Sequence, residues 1–236
     1  MQIKIKKPWM PKKITGTKLS EVLGLSPYTS KFEAWAVLSK IYKPPFAESK
    51  FTAAGKILEP RQIEFFKESH DWMKIRTPAD FYGENPAEQM RYDYFPENDI
   101  FGGMWDAVWI SDREECIAPI EMKTASKDWE EIPQNYMLQV GLYSYLMSRD
   151  TACIFKTHLK REDYENPEQV VVDKSNCQEF WFYRSEKLPD FEDMVKEATA
   201  FYREHVEAGI SPEIETEKDL ELLETLKTLG VVMDGG

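Results

Sequence analysis

The chain has 236 residues, of which 42% are hydrophobic and 13% aromatic, so it can bury a full core in one large domain or two small ones. It contains no run of 18 apolar residues, which excludes a transmembrane helix. The net charge of −12 argues against a general nucleic-acid binder, because phosphate binding depends on Lys and Arg. Acids grouped around a metal ion are the exception, since they lower the net charge without weakening phosphate binding at that ion.

The cysteines and the N-terminal residues indicate an intracellular protein. Cys116, Cys153 and Cys177 are odd in number and form no CxxC pair, so we expect thiols in a reducing compartment. The first residues are basic and lack the apolar core of a signal peptide.

Opposite charges gather at the two ends of the chain. Residues 1–13 carry five lysines and no acid, whereas residues 213–236 are strongly acidic. The leucine spacing in this tail predicts an amphipathic helix that docks on the body or on a neighbouring copy. Because no repeat or linker is visible, we interpret residues 1–236 as a single domain with a basic arm at 1–13 and an acidic helical tail at 213–236.

The first third of the chain has helical patterns. A short helix is predicted from about Thr17 to Gly24, and a second follows a Ser30 cap and ends before Pro44. A third helical pattern covers residues 51–70, where Pro60 predicts a kink or a second start.

The rest of the chain alternates strands and helices. Residues 102–111 and 116–125 predict a hairpin, 132–150 a helix, 152–159 and 178–186 two strands, and 189–209 a helix that ends at Gly209. This order predicts an α/β protein with a mixed central sheet flanked by helices.

One strand of the hairpin, "CIAPIEMKTA", carries an acid and a base in its otherwise apolar run. Side chains alternate across a strand, so Glu121 and Lys123 point to the same face. Asp106, in "GGMWDAVW" on the partner strand, reaches that face too. Two carboxylates beside one ammonium predict a phosphodiester-hydrolysis site, where the acids hold Mg²⁺ and Lys123 orients or helps deprotonate the attacking water.

The alternative is an ordinary ion pair on a solvated strand face. For an isolated Glu-x-Lys this alternative is the more common case, because such pairs occur in any protein. The context favours a site here: an Asp in a Gly-Gly hairpin strand, an apolar run into Glu121, and Thr124 directly after Lys123.

"GGMWDAVW…PIEMKTAS" resembles the PD-(D/E)xK nuclease signature, and more narrowly that of the YqaJ-like viral recombinases, the family typified by the phage lambda exonuclease. "ITGT" at residues 14–17 resembles the family's N-terminal segment. "GKILEP" at 55–60 resembles its helix with a catalytic acid, here Glu59. "YMLQVGLYSYLM" at 136–147 resembles its Gln-bearing helix, here with Gln139. All of these motifs occur in the family's order.

The resemblance implies a restriction-endonuclease-like core and a Mg²⁺-dependent exonuclease, with Mn²⁺ as a substitute, that digests duplex DNA ends from 5′ to 3′. The resemblance also implies that the protein serves phage-type homologous recombination in the bacterial cytoplasm. The implied partner is a single-strand annealing recombinase, and the implied assembly is a ring-shaped homotrimer. The implied metal ligands are Asp106, Glu121, Glu59 and the carbonyl of Met122.

This sequence departs from the family pattern at the predicted phosphate-binding end. The arginine that commonly precedes the "ITGT"-like segment is absent, and Lys12 and Lys13 stand there. With Thr17 and Lys18 at a helix start, they are the predicted ligands of a 5′-phosphate. The family's helper acid before the hairpin Asp has two candidate counterparts, Glu97 and Asp99.

Several alternatives remain open at this point. Glu59 is either a solvated helix acid or a site residue, and Gln139 bonds either a core backbone group or the site. There are two rival functions. One is another repair or CRISPR-associated nuclease of the superfamily, and the other is a non-catalytic DNA-end-binding recombination partner. Zinc is not expected because the histidines lack ligand spacing, nor is an iron–sulfur cluster, which needs four cysteines.

Overall fold

The structure, a computed structural model, describes residues 1–45 and 49–233. Its helices are α1 Gly16–Val22, α2 Lys31–Leu38, α3 Lys50–Ser69, α4 Pro78–Tyr82, α5 Pro86–Gln89, α6 Gln134–Leu146, α7 Arg184–Lys187, α8 Phe191–Phe201, which continues as a π-helical turn over Tyr202–Glu207, and α9 Glu217–Thr228. Its strands are β1 Ile14–Thr15, β2 Lys74–Arg76, β3 Phe101–Gly102, β4 Ala107–Ile110, β5 Cys116–Ala125, β6 Thr151–His158 and β7 Cys177–Tyr183.

The chain divides into two compact units. The first comprises residues 1–45, 95–103 and 190–236, and the second comprises residues 46–94 and 104–189. The interpretation of the chain as a single domain stays a prediction.

The first unit contains both ends of the chain. Ile3 and Ile5 are buried, and the bridges of Lys4 to Ile210 and of Ile5 to Val232 tie the first residues to the last ones. The basic segment is therefore anchored by its alternate apolar side chains, while its lysines at positions 4, 6 and 7 are exposed. The short strand β1 pairs in parallel with β3.

The acidic tail forms helix α9 on the first unit. Asp219 is buried, where its Oδ1 accepts a hydrogen bond of 2.5 Å from the hydroxyl of Ser30, the cap of α2. Thr216 and Asp219 also form a reciprocal capping box at the start of α9. The buried apolar side of the helix consists of Leu222, Leu223 and Leu226.

The second unit is built on a mixed sheet. Within the described residues, five strands lie in the order β2-β4-β5-β6-β7, and only the β5–β6 pair is parallel. The predicted hairpin of β4 and β5 and the predicted helix α6 after it are present. The predicted α/β class with a mixed sheet is confirmed.

Helices cover both faces of this sheet. On one face, Phe66 of α3 packs against Ile120, Met122 and Phe155. On the other face, Val140 of α6 packs with Ile154. Because side chains alternate along β5, Glu121 and Lys123 belong to the α6 face and Met122 to the α3 face.

Three elements differ from their predicted form. The strand predicted at 178–186 ends at Tyr183, and Arg184–Lys187 forms helix α7. Strand β4 begins at Ala107, so "GGMW" lies outside it, and Phe101–Gly102 pairs with β1 in the first unit. Helix α3 runs from a Ser49 cap to Ser69 as one helix that includes Pro60. The missing N–H of the proline removes one helical hydrogen bond but starts no second helix.

The buried side chain of Gln62 ties α3 to the middle of the sheet. Its Nε2 donates to the carbonyl of Lys123 at 2.9 Å and lies 2.8 Å from Oγ1 of Thr157. This amide joins the helix of Glu59 to the strand of Lys123. In the part of the chain that is described, no helix is both long and apolar enough to cross a bilayer.

Replacement of this amide tests whether it stabilises the fold. Gln62→Leu is expected to lower the free energy of unfolding by about 1–3 kcal/mol, because two buried polar atoms lose a partner while the volume stays nearly the same. Urea denaturation measures the change. Gln134→Leu, at an exposed glutamine, is the matched control, and an equal loss in both variants would contradict this role.

Candidate active site

Strand β5 extends past the N-terminal end of β4, and Asp106 lies where β4 would continue beside it. The β4–β5 register ends with Ala107 opposite Ile120. Two residues later, the backbone N–H of Met122 donates to Oδ2 of Asp106 at 2.7 Å. The N–H and C=O of a strand residue point to the same side, so the Met122 carbonyl faces the Asp106 side as well.

The carboxylate of Glu121 is buried and is held on one oxygen only. Its Oε1 accepts hydrogen bonds from Lys123 Nζ at 2.6 Å and from Gln139 Nε2 at 2.5 Å. Its Oε2 is buried and has no hydrogen-bond partner. A buried carboxylate oxygen without a partner is costly, so this atom is the clearest sign of an absent ligand.

Glu59 reaches the same place from α3. A cavity of about 880 Å³ is lined by Glu59, Asp106, Glu121 and Gln139 at one end. Its walls are largely apolar and come from α3, α4, α5 and the segment before β4, with Trp105 among them. The structure therefore brings the three predicted carboxylates and the predicted glutamine to one cavity.

Crowding and burial make these carboxylates hard to ionise together. Burial, then the charge of Asp106, raises the pKa of Glu121 to about 8. The same two causes raise the pKa of Glu59 to about 7. Burial also raises the pKa of Asp106, against the opposing effects of Lys123 and of the Met122 N–H. A bound cation would favour the ionised form of all three.

Lys123 is the ammonium that partly compensates these acids. Burial alone would lower its pKa, but the carboxylates of Glu121 and Asp106 outweigh burial, and the pKa lies above the usual value. Its Nζ also lies 5.1 Å from the centre of the Tyr136 ring. Lys123 is thus charged, and only 17% of its side chain is exposed.

Three supporting residues were not predicted from the sequence as site residues. Tyr136 lies one helical turn before Gln139 on α6, which the spacing of three residues could have indicated. Tyr143 is buried and its hydroxyl interacts with the Gln139 side chain, so it holds that amide in place. No local sequence pattern indicates the contact of Gln62 with the Lys123 carbonyl.

The predicted phosphate-binding residues lie in the first unit, and the amines of Lys13 and Lys18 have partners in the protein. Lys13 Nζ donates to the carbonyl of Phe95 at 3.0 Å, and Lys18 Nζ pairs with Glu21 at 2.7 Å. Thr17 Oγ1 lies 3.1 Å from Oγ1 of Thr15. Lys12 lies two residues before the start of β1. The role of these residues stays a prediction.

Both candidates for the helper acid, Glu97 and Asp99, are exposed residues of the first unit. Their role stays a prediction.

The donor set fits a hard divalent cation. Carboxylate and carbonyl oxygens are the ligands that Mg²⁺ accepts, and Oε2 of Glu121 lacks any other partner. In residues 1–45 and 49–233, no group of three or more His, Cys, Asp or Glu side chains is arranged so that it could hold a metal ion by itself.

The family model of the YqaJ-like viral recombinase domain matches residues 7–147, which include all of the predicted site residues. The chain belongs to this family. Two uncharacterized proteins are similar over most of their length: MG373 of Mycoplasma genitalium, 28% identical, and its homolog in Mycoplasma pneumoniae, 27% identical. Each alignment covers 90% of this chain and 86% of the relative.

Solved structures of an alkaline exonuclease share the fold. An alkaline exonuclease from Laribacter hongkongensis matches with a TM-score of 0.57 at 14% identity, over 93% of this chain and 96% of that one. The structure of its complex with dAMP matches with the same TM-score, over 92% of this chain and 94% of that one. The predicted restriction-endonuclease-like core is thereby confirmed.

The raised pKa of Glu121 predicts how the stability of the metal-free protein depends on pH. A raised carboxyl pKa means that the folded state binds the proton more tightly than the unfolded state, whose pKa is near 4.5. This stabilisation is complete below pH 4.5 and is lost as the pH rises through about 8. Urea denaturation in EDTA should therefore show a decline over this range that is smaller in Glu121→Gln.

Two comparisons make this measurement specific. Glu84→Gln, at an exposed acid of the second unit, should retain the wild-type decline. Ca²⁺ should restore stability at pH 8 in the wild type but less in Glu121→Gln. An identical pH dependence in both variants would contradict the assignment.

Proposed function

We propose that the protein is a Mg²⁺-dependent DNA exonuclease that hydrolyses phosphodiester bonds from the ends of duplex DNA, from 5′ to 3′, in homologous recombination. The observation that carries this proposal is the carboxylate of Glu121, which Lys123 and Gln139 bind on one oxygen while the other is buried without a partner beside Asp106. Membership in a viral recombinase family supports the recombination setting.

The site residues fit the roles that hydrolysis needs. Asp106, Glu121 and the Met122 carbonyl would hold the cation, with Glu59 as a further contact. When bound, Mg²⁺ supplies Lewis-acid stabilisation of the phosphate charge that develops during cleavage. Mn²⁺ offers similar ligand preferences and would substitute for it.

Lys123 would position the attacking water and stabilise negative charge. Its pKa lies above the usual value, so it is an ammonium in the substrate-free protein and donates hydrogen bonds. Gln139 holds the Oε1 atom of Glu121 from the other side and keeps Oε2 directed away from both donors. The largely apolar walls of the cavity restrict water, which strengthens these electrostatic interactions.

The relatives support a DNA end as substrate. The alkaline exonuclease of L. hongkongensis was captured with dAMP, and a mononucleotide of this kind is what exonucleolytic cleavage of DNA releases. We extend this substrate class to the present chain on the basis of the shared fold and the family. The bacterial cytoplasm, as a phage or prophage protein, and a single-strand annealing recombinase are the proposed compartment and partner.

An acidic protein needs a local source of positive charge to hold DNA. With a net charge of −12, the monomer repels a polyanion unless its basic groups converge. We propose that Lys12, Lys13, Thr17 and Lys18 bind the 5′-phosphate, which requires Lys18 to exchange its Glu21 partner for the phosphate. A trimeric ring would bring three such segments around one duplex.

Removal of the central groups should abolish cleavage. Lys123→Ala and Glu121→Gln are each expected to bind DNA ends but to lose cleavage about 10³-fold or more, because the groups act as a unit. Single-turnover cleavage of a labelled linear duplex measures this. Lys127→Ala, at an exposed neighbouring lysine, is the control, and wild-type rates in either site variant would overturn the assignment.

The choice of metal gives a separate test. Mg²⁺ and Mn²⁺ should support turnover, and Ca²⁺ should support binding without turnover, because the ligands are hard oxygens. Full activity in excess EDTA would contradict the metal-dependent proposal.

The polarity and the end preference are tested with duplexes labelled at either end, with and without a 5′-phosphate. Early release of the 5′ label and faster digestion of phosphorylated ends are expected. Lys12→Gln combined with Lys13→Gln should weaken the phosphate preference and processivity more than single-cut chemistry. Light scattering that reports a 27.6 kDa monomer while kilobases are digested without release would rule out the ring.

A further inference from the structure

A second lysine lies beside Lys123 in the sheet. The parallel register of β5 and β6 places Lys156 opposite Lys123 and His158 opposite Ala125. Side chains paired in this way leave the sheet on the same face, and neighbouring strands are about 4.8 Å apart. Contacts on this face agree: Lys123 lies over the ring of Tyr136, Lys156 lies over the ring of Trp129, and the two rings are 5.4 Å apart.

The ammonium of Lys156 is buried and poorly compensated. Its side chain has no exposed surface, and its ammonium donates to the neutral Gln178 Oε1 at 3.1 Å. The Oδ1 atom of Asp128 is 3.8 Å from the ammonium, longer than a strong hydrogen bond. Burial lowers the pKa of Lys156, and the charge of Asp128 opposes this effect. An ammonium has three donors, so this group lacks acceptors.

Asp128 also lies against His158, and it is the partner most easily displaced. Its Oδ1 is 3.1 Å from Nδ1 of His158, although that buried nitrogen makes no hydrogen bond of acceptable geometry. The Asp128 side chain is 86% exposed. An exposed carboxylate retains most of its hydration, so an ion pair with it contributes little.

Asp128 belongs to the segment that joins β5 to α6. This segment therefore connects the strand of Lys123 to the helix of Gln139. Displacement of this one side chain would remove the carboxylate that lies against both basic groups, on the face that carries the proposed catalytic site.

We propose that Lys156 and His158 form a second phosphate-binding site, and that the carboxylate of Asp128 occupies it in the substrate-free protein. The ligand is an internal phosphate of the strand being digested, next to the one that is cleaved. This inference rests on the proposed function. The register of β5 and β6 places the two lysines side by side, so a phosphate next to the cleaved one lies on the side of Lys156.

Exchange of the carboxylate for a phosphate makes a specific prediction about affinity. Asp128→Asn should tighten the binding of a duplex about three- to tenfold, since the competing charge is removed while the site remains. Lys156→Met should weaken binding roughly tenfold and reduce the salt dependence of log K by about 0.9. Fluorescence anisotropy in Ca²⁺ at several salt concentrations measures both, with a denaturing gel to verify intact strands.

A matched control and a double variant separate this site from a general charge effect. Glu130→Gln removes the same charge from the same exposed segment and should change affinity less than twofold. The gain from Asp128→Asn should disappear when Lys156→Met is also present. Equal gains in Asp128→Asn and Glu130→Gln, or a gain that persists in the double variant, would overturn the proposal. A Lys156→Met protein must first show the circular dichroism and urea midpoint of a folded chain; Lys156→Gln serves if it does not.

Two further arms identify the ligand. The gain should be the same on duplexes with and without a 5′-phosphate, and a gain limited to phosphorylated ends would overturn the assignment to an internal phosphate. Wild-type protein that cuts DNA while Asp128→Asn gains no affinity disproves this inference alone. Wild-type protein that neither binds nor cuts DNA disproves the proposed function itself.

Discussion

Glu59, Asp106 and Glu121 line one cavity, and Lys123 is the cation whose charge acts on all three; this imbalance governs the rest of the site. Burial raises the pKa of each of these carboxyls, and the charge of Asp106 raises the pKa of Glu59 and Glu121 further, so their joint ionisation is unfavourable. Lys123 compensates only part of the charge and bonds only one oxygen of Glu121. The protein therefore stores an unfavourable interaction that a divalent ion would relieve, and metal binding would thereby be coupled to the stability of the second unit.

The unequal lengths of β4 and β5 produce this arrangement. Because β4 begins only at Ala107, the N–H of Met122 has no backbone partner from β4, and the side chain of Asp106 accepts its hydrogen bond instead. The gap also lets Glu59 of α3 reach a carboxylate on the opposite face of the sheet. Gln62, three residues further along α3, fixes the helix against the Lys123 carbonyl. The same local geometry thus positions an acid from each of three elements.

The sequence predicts those parts of the site that depend on local periodicity. Strand alternation was enough to put Glu121 and Lys123 on one face, and the hairpin brought Asp106 to them. Glu59 and Gln139 were predicted through the family motifs, because their positions depend on how α3 and α6 cross the sheet. The contacts of Gln62 and Lys156 could not be predicted, since their partners are distant in the sequence and β6 reads as a plain apolar strand. The predicted start of β4 is too early because the apolar "GGMW" leads directly into the strand but has no pairing partner in the sheet.

The two lysines on the α6 face now have parallel roles. Each lies near a carboxylate of this chain: Lys123 donates to Glu121, and Lys156 lies 3.8 Å from Asp128. Each of those carboxylates has a competitor in the proposed complex. A metal ion would draw charge from Glu121 and so weaken its hold on Lys123, while a phosphate would replace Asp128 beside Lys156. Binding of metal and DNA would then release positive charge towards the substrate at two adjacent points. An acidic chain would in this way direct positive charge to the substrate only when metal and DNA bind, so a net charge of −12 is compatible with DNA binding at this face.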